Sequence, residues 1–425
     1  MTRLRLALAQ MNPRAGDPAG NAALLRGLRA EAAAAGADVL LTPQGSLSGW
    51  PLGDLAREGA FRAACAAEIA ELAAETADGG PALVLGAPFE DSGRLHDGLF
   101  VLDGGRVQAR RARHEVAGNE PFAPGPAPGP VALRGVRLGL MTGAEGFRAD
   151  TVPETLAETG AELLVALGAF RFAPEGADRR MGQAVAAVVG TGLGFVFLGL
   201  VGAEDGIVQD GGSFALNPDR ALALQLPLFA PALAIADWTD AGEGLAMAPQ
   251  PPAPMPAPDA AIWQALVLGL ADQVRKSSAP GIALPCPEEP AAALLARLAA
   301  EAVGAARIGV PGGLCLTAAH RGTLLDGAVP AEARFAPFLE LGPDVLNRLG
   351  AALPTDPGEP ILDAFARGGT VESLSAQGLA RPALLTAWRR LARSEAARRR
   401  APPCIQLGGR LPRLPLTQAF VDQIA

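Results

Sequence analysis

The chain of 425 residues contains no tyrosine, only 4% aromatic residues and four cysteines. The cysteines show neither disulfide nor metal-ligand spacing, which indicates a reducing compartment, and we expect a cytoplasmic protein. No run of about 18 apolar residues is present, so no membrane association is predicted. The three histidines are scattered without metal-ligand spacing and predict no metal site: His96, His114 and His320.

Positive charge is also scarce, with 36 Lys and Arg against 44 Asp and Glu, a net charge of −8 and a pI near 5.1. This balance excludes general nucleic-acid binding, which requires a basic surface. The basic run at 389–393, continued by three arginines at 398–400, is the exception. We interpret it as a solvated or partner-facing helix surface.

The hydrophobic pattern of residues 1–240 alternates between strand and helix periods, with short turns joining paired strands. It predicts a mixed sheet with helices on its outer faces. The predicted strands are 4–10, 37–42, 82–87, 97–103, 106–111, 136–142, 161–168, 194–201, 212–217 and 232–237. The predicted helices are 20–35, 58–77, 151–159 and 178–191.

Six prolines between 249 and 258 mark the clearest change in composition. They predict a solvent-exposed, semi-stiff linker over 241–259, between a first domain at 1–240 and a second at 260–425. The second domain is predicted to begin with a helix to 277, a strand at 281–284, a helix at about 289–303 and a strand at 306–310.

The most informative motif is Leu41-Thr42-Pro43-Gln44-Gly45-Ser46-Leu47-Ser48-Gly49-Trp50-Pro51, which follows a predicted strand. With Ala9-Gln10-Met11-Asn12-Pro13 and Gly20-Asn21 upstream, it resembles the nitrilase superfamily, in particular the glutaminase domain of glutamine-dependent NAD(+) synthetase. The resemblance implies a nitrilase-like αββα sandwich. A shortened α/β synthetase domain, of the adenine-nucleotide-hydrolase-like type, would follow it.

In that family a cysteine nucleophile, a glutamate base and a lysine that stabilises the oxyanion perform amide hydrolysis. The resemblance puts Gln44 at the glutamate position, Arg113 at the lysine position and Gly143 at the cysteine position. A register one residue away would make Thr142 a weak nucleophile, which would still have no base at Gln44. We therefore predict that the catalytic triad is not intact.

The family's ATP loop, Ser-Gly-Gly-x-Asp-Ser, is also altered. Its positions hold Pro287, Glu288, Glu289, Pro290, Ala291 and Ala292. Prolines remove amide donors and glutamates repel phosphate, so ATP binding is predicted to be lost together with the family's magnesium. The glutamates suit the first turn of the following helix. No cofactor is expected.

These losses predict a pseudoenzyme related to NAD biosynthesis. Its expected role is assembly or regulation, as a homo-oligomer or filament, or as a hetero-oligomer with an active NAD synthetase. Two alternatives remain open. One is an NAD(+) synthase or amidohydrolase with residual or relocated activity, and the other is a small-molecule sensor that uses the vestigial glutaminase pocket.

Overall fold

A computed structural model describes residues 3–117, 120–148, 151–242, 244–284, 291–321, 333–351, 353 and 358–407. The chain divides into two compact units. The first comprises residues 1–204 and 209–256, and the second comprises residues 205–208 and 257–425.

Up to residue 256 the chain contains fifteen described strands and four described α-helices, all in the first unit except the first two residues of β11. The strands are β1 Arg3–Gln10, β2 Val39–Leu41, β3 Ala82–Asp91, β4 Arg94–Asp103, β5 Arg106–Ala112, β6 Val131–Leu133, β7 Val136–Thr142, β8 Leu163–Gly168, β9 Gly194–Gly199, β10 Val201–Glu204, β11 Ile207–Asp210, β12 Phe214–Leu216, β13 Leu222–Gln225, β14 Ala232–Asp240 and β15 Leu245–Met247. The helices are α1 Pro18–Ala34, α2 Gly59–Glu75, α3 Val152–Glu158 and α4 Gly176–Thr191.

Two mixed sheets form from these strands. The first has the order β15-β14-β1-β2-β3-β4-β5, and the second has the order β13-β12-β9-β8-β7-β6. Strands β1, β2 and β3 run parallel, as do β7, β8 and β9, while the other neighbours pair antiparallel. The carboxyl ends of parallel strands share one edge of each sheet, which is where α/β proteins usually build their sites.

Side-chain alternation along the strands explains how the sheets stack. In β1 the leucines at 4, 6 and 8 belong to a core cluster that also contains Leu138, Leu140 and Val165 of the second sheet. The intervening alanines at 7 and 9 belong to a separate cluster with apolar residues of α1 and α2. A third cluster joins α3 and α4 to the outer face of the second sheet. The four layers are therefore helix, sheet, sheet, helix, as predicted.

The predicted exposed linker needs correction in its first part. Residues 245–247 form β15, which pairs with β14, and Leu245 and Met247 are buried in the core between the sheets. The backbone amides of Gln250 and Ala253 then donate to carbonyls of β13, so this segment packs along the first unit. Apolar residues just before the first of these prolines form an additional edge strand, and the chain enters the second unit only after Pro256.

The second unit contains helices and a small two-stranded parallel sheet. Its helices are α5 Pro258–Lys276, α6 Ala292–Val303, α7 Pro343–Arg348, α8 Glu359–Ala366, α9 Val371–Ala376 and α10 Arg381–Arg400. Strands β16 Ile282–Ala283 and β17 Leu314–Cys315 pair in parallel. The prediction of a strand at 306–310 was wrong. A 3-10 helix covers Ala305–Arg307, and only Ile308 bridges to Ile282.

The backbone after Ile308 explains this difference. Gly309 adopts a positive φ of 76°, and Pro311 has no amide hydrogen to donate to a ladder. The three last helices, in contrast, follow their apolar spacing. Leu384, Ala387 and Leu391 of α10 pack with Leu362, Phe365 and Leu374 of α8 and α9. No helix in the described part of the chain is long and apolar enough to cross a membrane.

Candidate functional site

The three altered triad positions lie together at the carboxyl ends of three strands. Gln44 follows β2, Arg113 follows β5 and Gly143 follows β7. Gln44 and Arg113 both contact the carboxylate of Asp97, and the side chain of Arg113 lies against the backbone of Gly143. All of these residues are buried. The positions assigned by resemblance therefore form one cluster.

Gln44 uses both ends of its amide in this cluster. Its Nε2 donates to Oδ2 of Asp97 at 2.6 Å, and its Oε1 accepts from the backbone amide of Ala169 at 3.2 Å. Only 2% of the residue is exposed. An amide cannot take a proton at neutral pH. Gln44 therefore fixes the end of β2 against β4 and the end of β8, and it cannot act as a general base.

Arg113 is held by two acids. Its Nε lies 3.4 Å from the same Oδ2 of Asp97, and its Nη2 donates to a carboxylate oxygen of Glu120. Its guanidinium carbon also lies 5.9 Å from the centre of the Phe122 ring, within the range of a cation–π contact. These contacts fix the guanidinium in a single position inside the fold.

Gly143 provides the space in which that guanidinium lies. A Cβ atom at this position would be 2.9 Å from Nη1 and 3.0 Å from Cδ of Arg113. The backbone φ is +64°, a conformation that side chains of L-residues rarely adopt. Its amide donates to the carbonyl of Leu167 at 3.2 Å. No nucleophilic atom is present at this position, and a side chain there would require Arg113 to shift.

Asp97 is the residue of this cluster that the sequence analysis missed. Burial raises its pKa to about 6, although Arg113 and the amide of Gln44 favour the charged form. The charges of Glu120 and Glu145 raise the pKa further. The available signal was an acid directly before the apolar run of β4, whose only other acid is Asp103 at its end. The carbonyl of Asp97 accepts from the backbone amide of Arg113 at 2.8 Å.

The loop after β7 is organised by Glu145, which is fully buried. Its carboxylate accepts backbone amides from Thr142 at 3.0 Å, from Glu115 at 3.2 Å and from His114, and it pairs with Nη1 of Arg111 at 2.7 Å. These contacts join the end of β7 to the segment that follows β5. Glu145 therefore has a structural role.

Thr142 gains no support as a replacement nucleophile. Its hydroxyl is buried and has no hydrogen-bond partner among the described residues. A hydroxyl nucleophile requires an adjacent base to accept its proton, and no such base is bonded to this one. His114 is half-buried, and its Nδ1 lies 2.8 Å from the carbonyl oxygen of Gly125.

No thiol lies in the cluster among the described cysteines. Cys65 is buried in α2, where burial raises its pKa to about 12, and Cys315 and Cys404 belong to the second unit. Cys286 lies outside the described residues. Within the described ranges no group of three potential metal ligands occurs. Among the described residues of the first unit, the altered positions therefore have no cysteine beside them.

The altered ATP loop falls largely outside the described residues, which exclude 285–290 and hence Pro287, Glu288, Glu289 and Pro290. Ala291 has a positive φ of 63° and immediately precedes α6, which begins at Ala292. The helix was predicted from about 289, three residues earlier. The loss of phosphate binding remains a prediction from the sequence.

The four-layer fold and the cluster at the ends of its strands define a class of protein. Comparison with known families identifies this class. The profile of the carbon-nitrogen hydrolase family matches residues 5–241, and the chain belongs to this family. It is related, more particularly, to the glutamine-dependent NAD(+) synthetases. The enzyme of that name from Rhodobacter capsulatus is 35% identical over 315 residues. That match includes 72% of this chain but only 56% of the relative's length.

Two solved structures extend the comparison. A glutamine-dependent NAD(+) synthetase from Cytophaga hutchinsonii is 15% identical, with a TM-score of 0.80 over 100% of this chain and 99% of the other. This likeness confirms the fold, with a nitrilase-like unit followed by an α/β unit. A double mutant of the amidase from Nesterenkonia sp. AN1, in complex with acrylamide, is 26% identical. Its TM-score is 0.51 over 57% of this chain and 92% of the amidase.

Proposed function

We propose that this chain is a non-catalytic relative of glutamine-dependent NAD(+) synthetase that acts through assembly or regulation. The observation that carries the proposal is the closed cluster of Gln44, Asp97 and Arg113 over Gly143. Amide hydrolysis by this family's chemistry requires a nucleophile, a base and an oxyanion partner. Here the nucleophile position has no side chain, and the base position has an amide.

Several orders of magnitude in rate are typically lost when a nucleophile alone is removed. Loss of the base leaves any remaining hydroxyl, such as that of Thr142, unactivated. Arg113 keeps the positive charge of an oxyanion partner, but its guanidinium is already bound by Asp97 and Glu120. The proposal therefore rests on deficits at the nucleophile, base and oxyanion positions.

For the second unit we propose that ATP and magnesium binding are absent as well. The support is the sequence of the altered loop, in which Pro287 and Pro290 have no amide hydrogens and Glu288 and Glu289 add negative charge beside a phosphate site. The expected role is then assembly. The chain forms a homo-oligomer or filament, or a hetero-oligomer with an active NAD synthetase.

Two other functions have specific support. The 35% identity to the Rhodobacter capsulatus enzyme favours an NAD(+) synthase or amidohydrolase with residual or relocated activity. The Nesterenkonia amidase favours a small-molecule sensor that uses the vestigial pocket. Its acrylamide complex was obtained with a glutamate changed to glutamine and a cysteine changed to alanine, so that amidase holds an amide without those two groups.

NAD(+) formation from deamido-NAD, ATP and magnesium tests these functions when glutamine and ammonia are supplied in separate reactions. The proposal expects no product from either nitrogen source, with the Rhodobacter capsulatus enzyme as the positive control. Product from ammonia alone would establish a working synthetase unit. Product from both sources would establish an NAD(+) synthase. Binding of acetamide or acrylamide in calorimetry, without turnover, would favour the sensor.

Light scattering at low micromolar concentration tests the assembly role. The proposal expects a stable oligomer, or an oligomer that forms when an active NAD synthetase is added. A monomer of about 43 kDa that also does not bind the synthetase would remove the assembly role.

A further inference from the structure

The guanidinium of Arg113 lies in an enclosed position with its own set of contacts. On one side are two acids, Asp97 and Glu120, and on another is the ring of Phe122. The backbone of Gly143 closes a third side. Paired acids and an aromatic face are the groups that bind a planar cation in proteins.

This arrangement depends on the glycine. A Cβ at position 143 would lie 2.9 Å from Nη1 and 3.0 Å from Cδ of the arginine, so a cysteine there would require the side chain of Arg113 to shift from this position. The glycine at 143 and the position of the arginine are thus sterically dependent on each other. Arg113 fills the volume that the nucleophile's side chain would need.

We propose that the vestigial active site has become a binding site for a guanidinium group, filled by the chain's own Arg113, with Asp97 and Glu120 as the retaining acids. This inference deepens the proposed function and rests on it, because it assigns a binding role to the altered triad positions. Arg113 then acts as an internal plug. The proposal also predicts that removal of the Arg113 side chain creates a site for a small planar cation.

The charged groups around Asp97 determine the pH range in which its carboxylate is ionised and can hold the guanidinium of Arg113. Arg113 faces Asp97 from the segment after β5, and Gln44 contacts it from the end of β2. Glu120, beyond the arginine, and Glu145, which pairs with Arg111 after β7, oppose its ionisation. Since the pKa of Asp97 is about 6, the ionised fraction decreases about tenfold for each pH unit below that value. The plug is expected to be held more weakly at pH 5 than at pH 7.5.

Chemical rescue of the Arg113→Ala variant of the full chain tests the proposal. Guanidinium chloride at millimolar concentration should raise the Tm of this variant by about 3 °C at pH 7.5. Urea at the same concentration has the same planar shape without the charge, and sodium chloride controls for ionic strength. Neither should raise the Tm. The wild type, whose site is filled, should not respond to guanidinium.

A second experiment tests Asp97 as the acid that holds the guanidinium group. Rescue should disappear in Arg113→Ala combined with Asp97→Asn, and it should weaken at pH 5. Equal responses to guanidinium and urea, or equal responses of wild type and variant, would overturn the proposal. If Arg113→Ala does not fold, the same comparison with Arg113→Gln decides it. Failure of the rescue would leave the predicted lack of activity intact, because Gly143 has no nucleophile. Ammonia release would refute the proposed function without changing the rescue.

Discussion

Replacing Gly143 by alanine should destabilise the first unit more than an ordinary glycine replacement at the same backbone conformation. The residue has a φ of +64°, and a left-handed conformation costs an L-residue about 1–2 kcal/mol. The added Cβ would also lie 2.9 Å from Nη1 of Arg113, and overpacking a buried site costs about 1–3 kcal/mol. The expected total is about 2–5 kcal/mol.

Gly135 supplies the matched control. Its φ is +83°, but an added Cβ would meet no atom within 4 Å, so Gly135→Ala should cost only the backbone part, about 1–2 kcal/mol. Hydrogen exchange of peptides from β7 and β8 measures both free energies in the full chain without mixing in the second unit. In an Arg113→Ala background, the cost of Gly143→Ala should fall to that of Gly135→Ala. Equal costs for the two glycines in the wild-type background would refute the plugged position of Arg113.

Other substitutions test the remaining charged contacts and one helix cap. Because the pKa of Asp97 is about 6 against an ordinary 3.8, the folded state binds more protons between these values. The contribution of Asp97 to stability should therefore fall by about 2 kcal/mol as the pH rises from 4 to 7, and Asp97→Asn should remove that dependence in urea titrations at each pH. Arg180→Leu would leave Asp210, its buried partner at 2.6 Å, without a counter-charge and should cost about 3–5 kcal/mol, whereas leucine at both positions should cost less in the same titration. Thr370→Ala removes the hydroxyl that accepts a hydrogen bond from the backbone amide of Ser373 at 3.1 Å. It should lower the opening free energy that hydrogen exchange measures for α9 by about 1 kcal/mol and leave that of the first unit unchanged.

Much of the first unit could be predicted from residue patterns. Long apolar runs such as 82–87 and 136–142 have one dominant period, and burial between two sheets follows from it. Short edge strands such as β15 could not be predicted, because three residues among prolines and glycines contain little periodic signal. In the second unit, the positive φ of Gly309 ended a run of apolar residues that resembled a strand.

The cluster was predicted in part. Gln44, Arg113 and Gly143 were assigned by resemblance, and strand topology explains why they meet. Asp97 was missed because a single acid in a strand is usually a surface residue. Its inward position depends on the register of β4 against β5, which local sequence does not reveal. The dependence of the Arg113 position on Gly143 required coordinates of both residues.

Ammonia release from glutamine by the purified chain tests the central claim most directly. The lack of a nucleophile at Gly143 and of a base at Gln44 predicts no release above that of the Thr142→Ala variant under identical conditions. The Rhodobacter capsulatus synthetase serves as the active reference. Release at a rate comparable to that reference, and abolished by Thr142→Ala, would contradict the account and establish the threonine hydroxyl as the nucleophile.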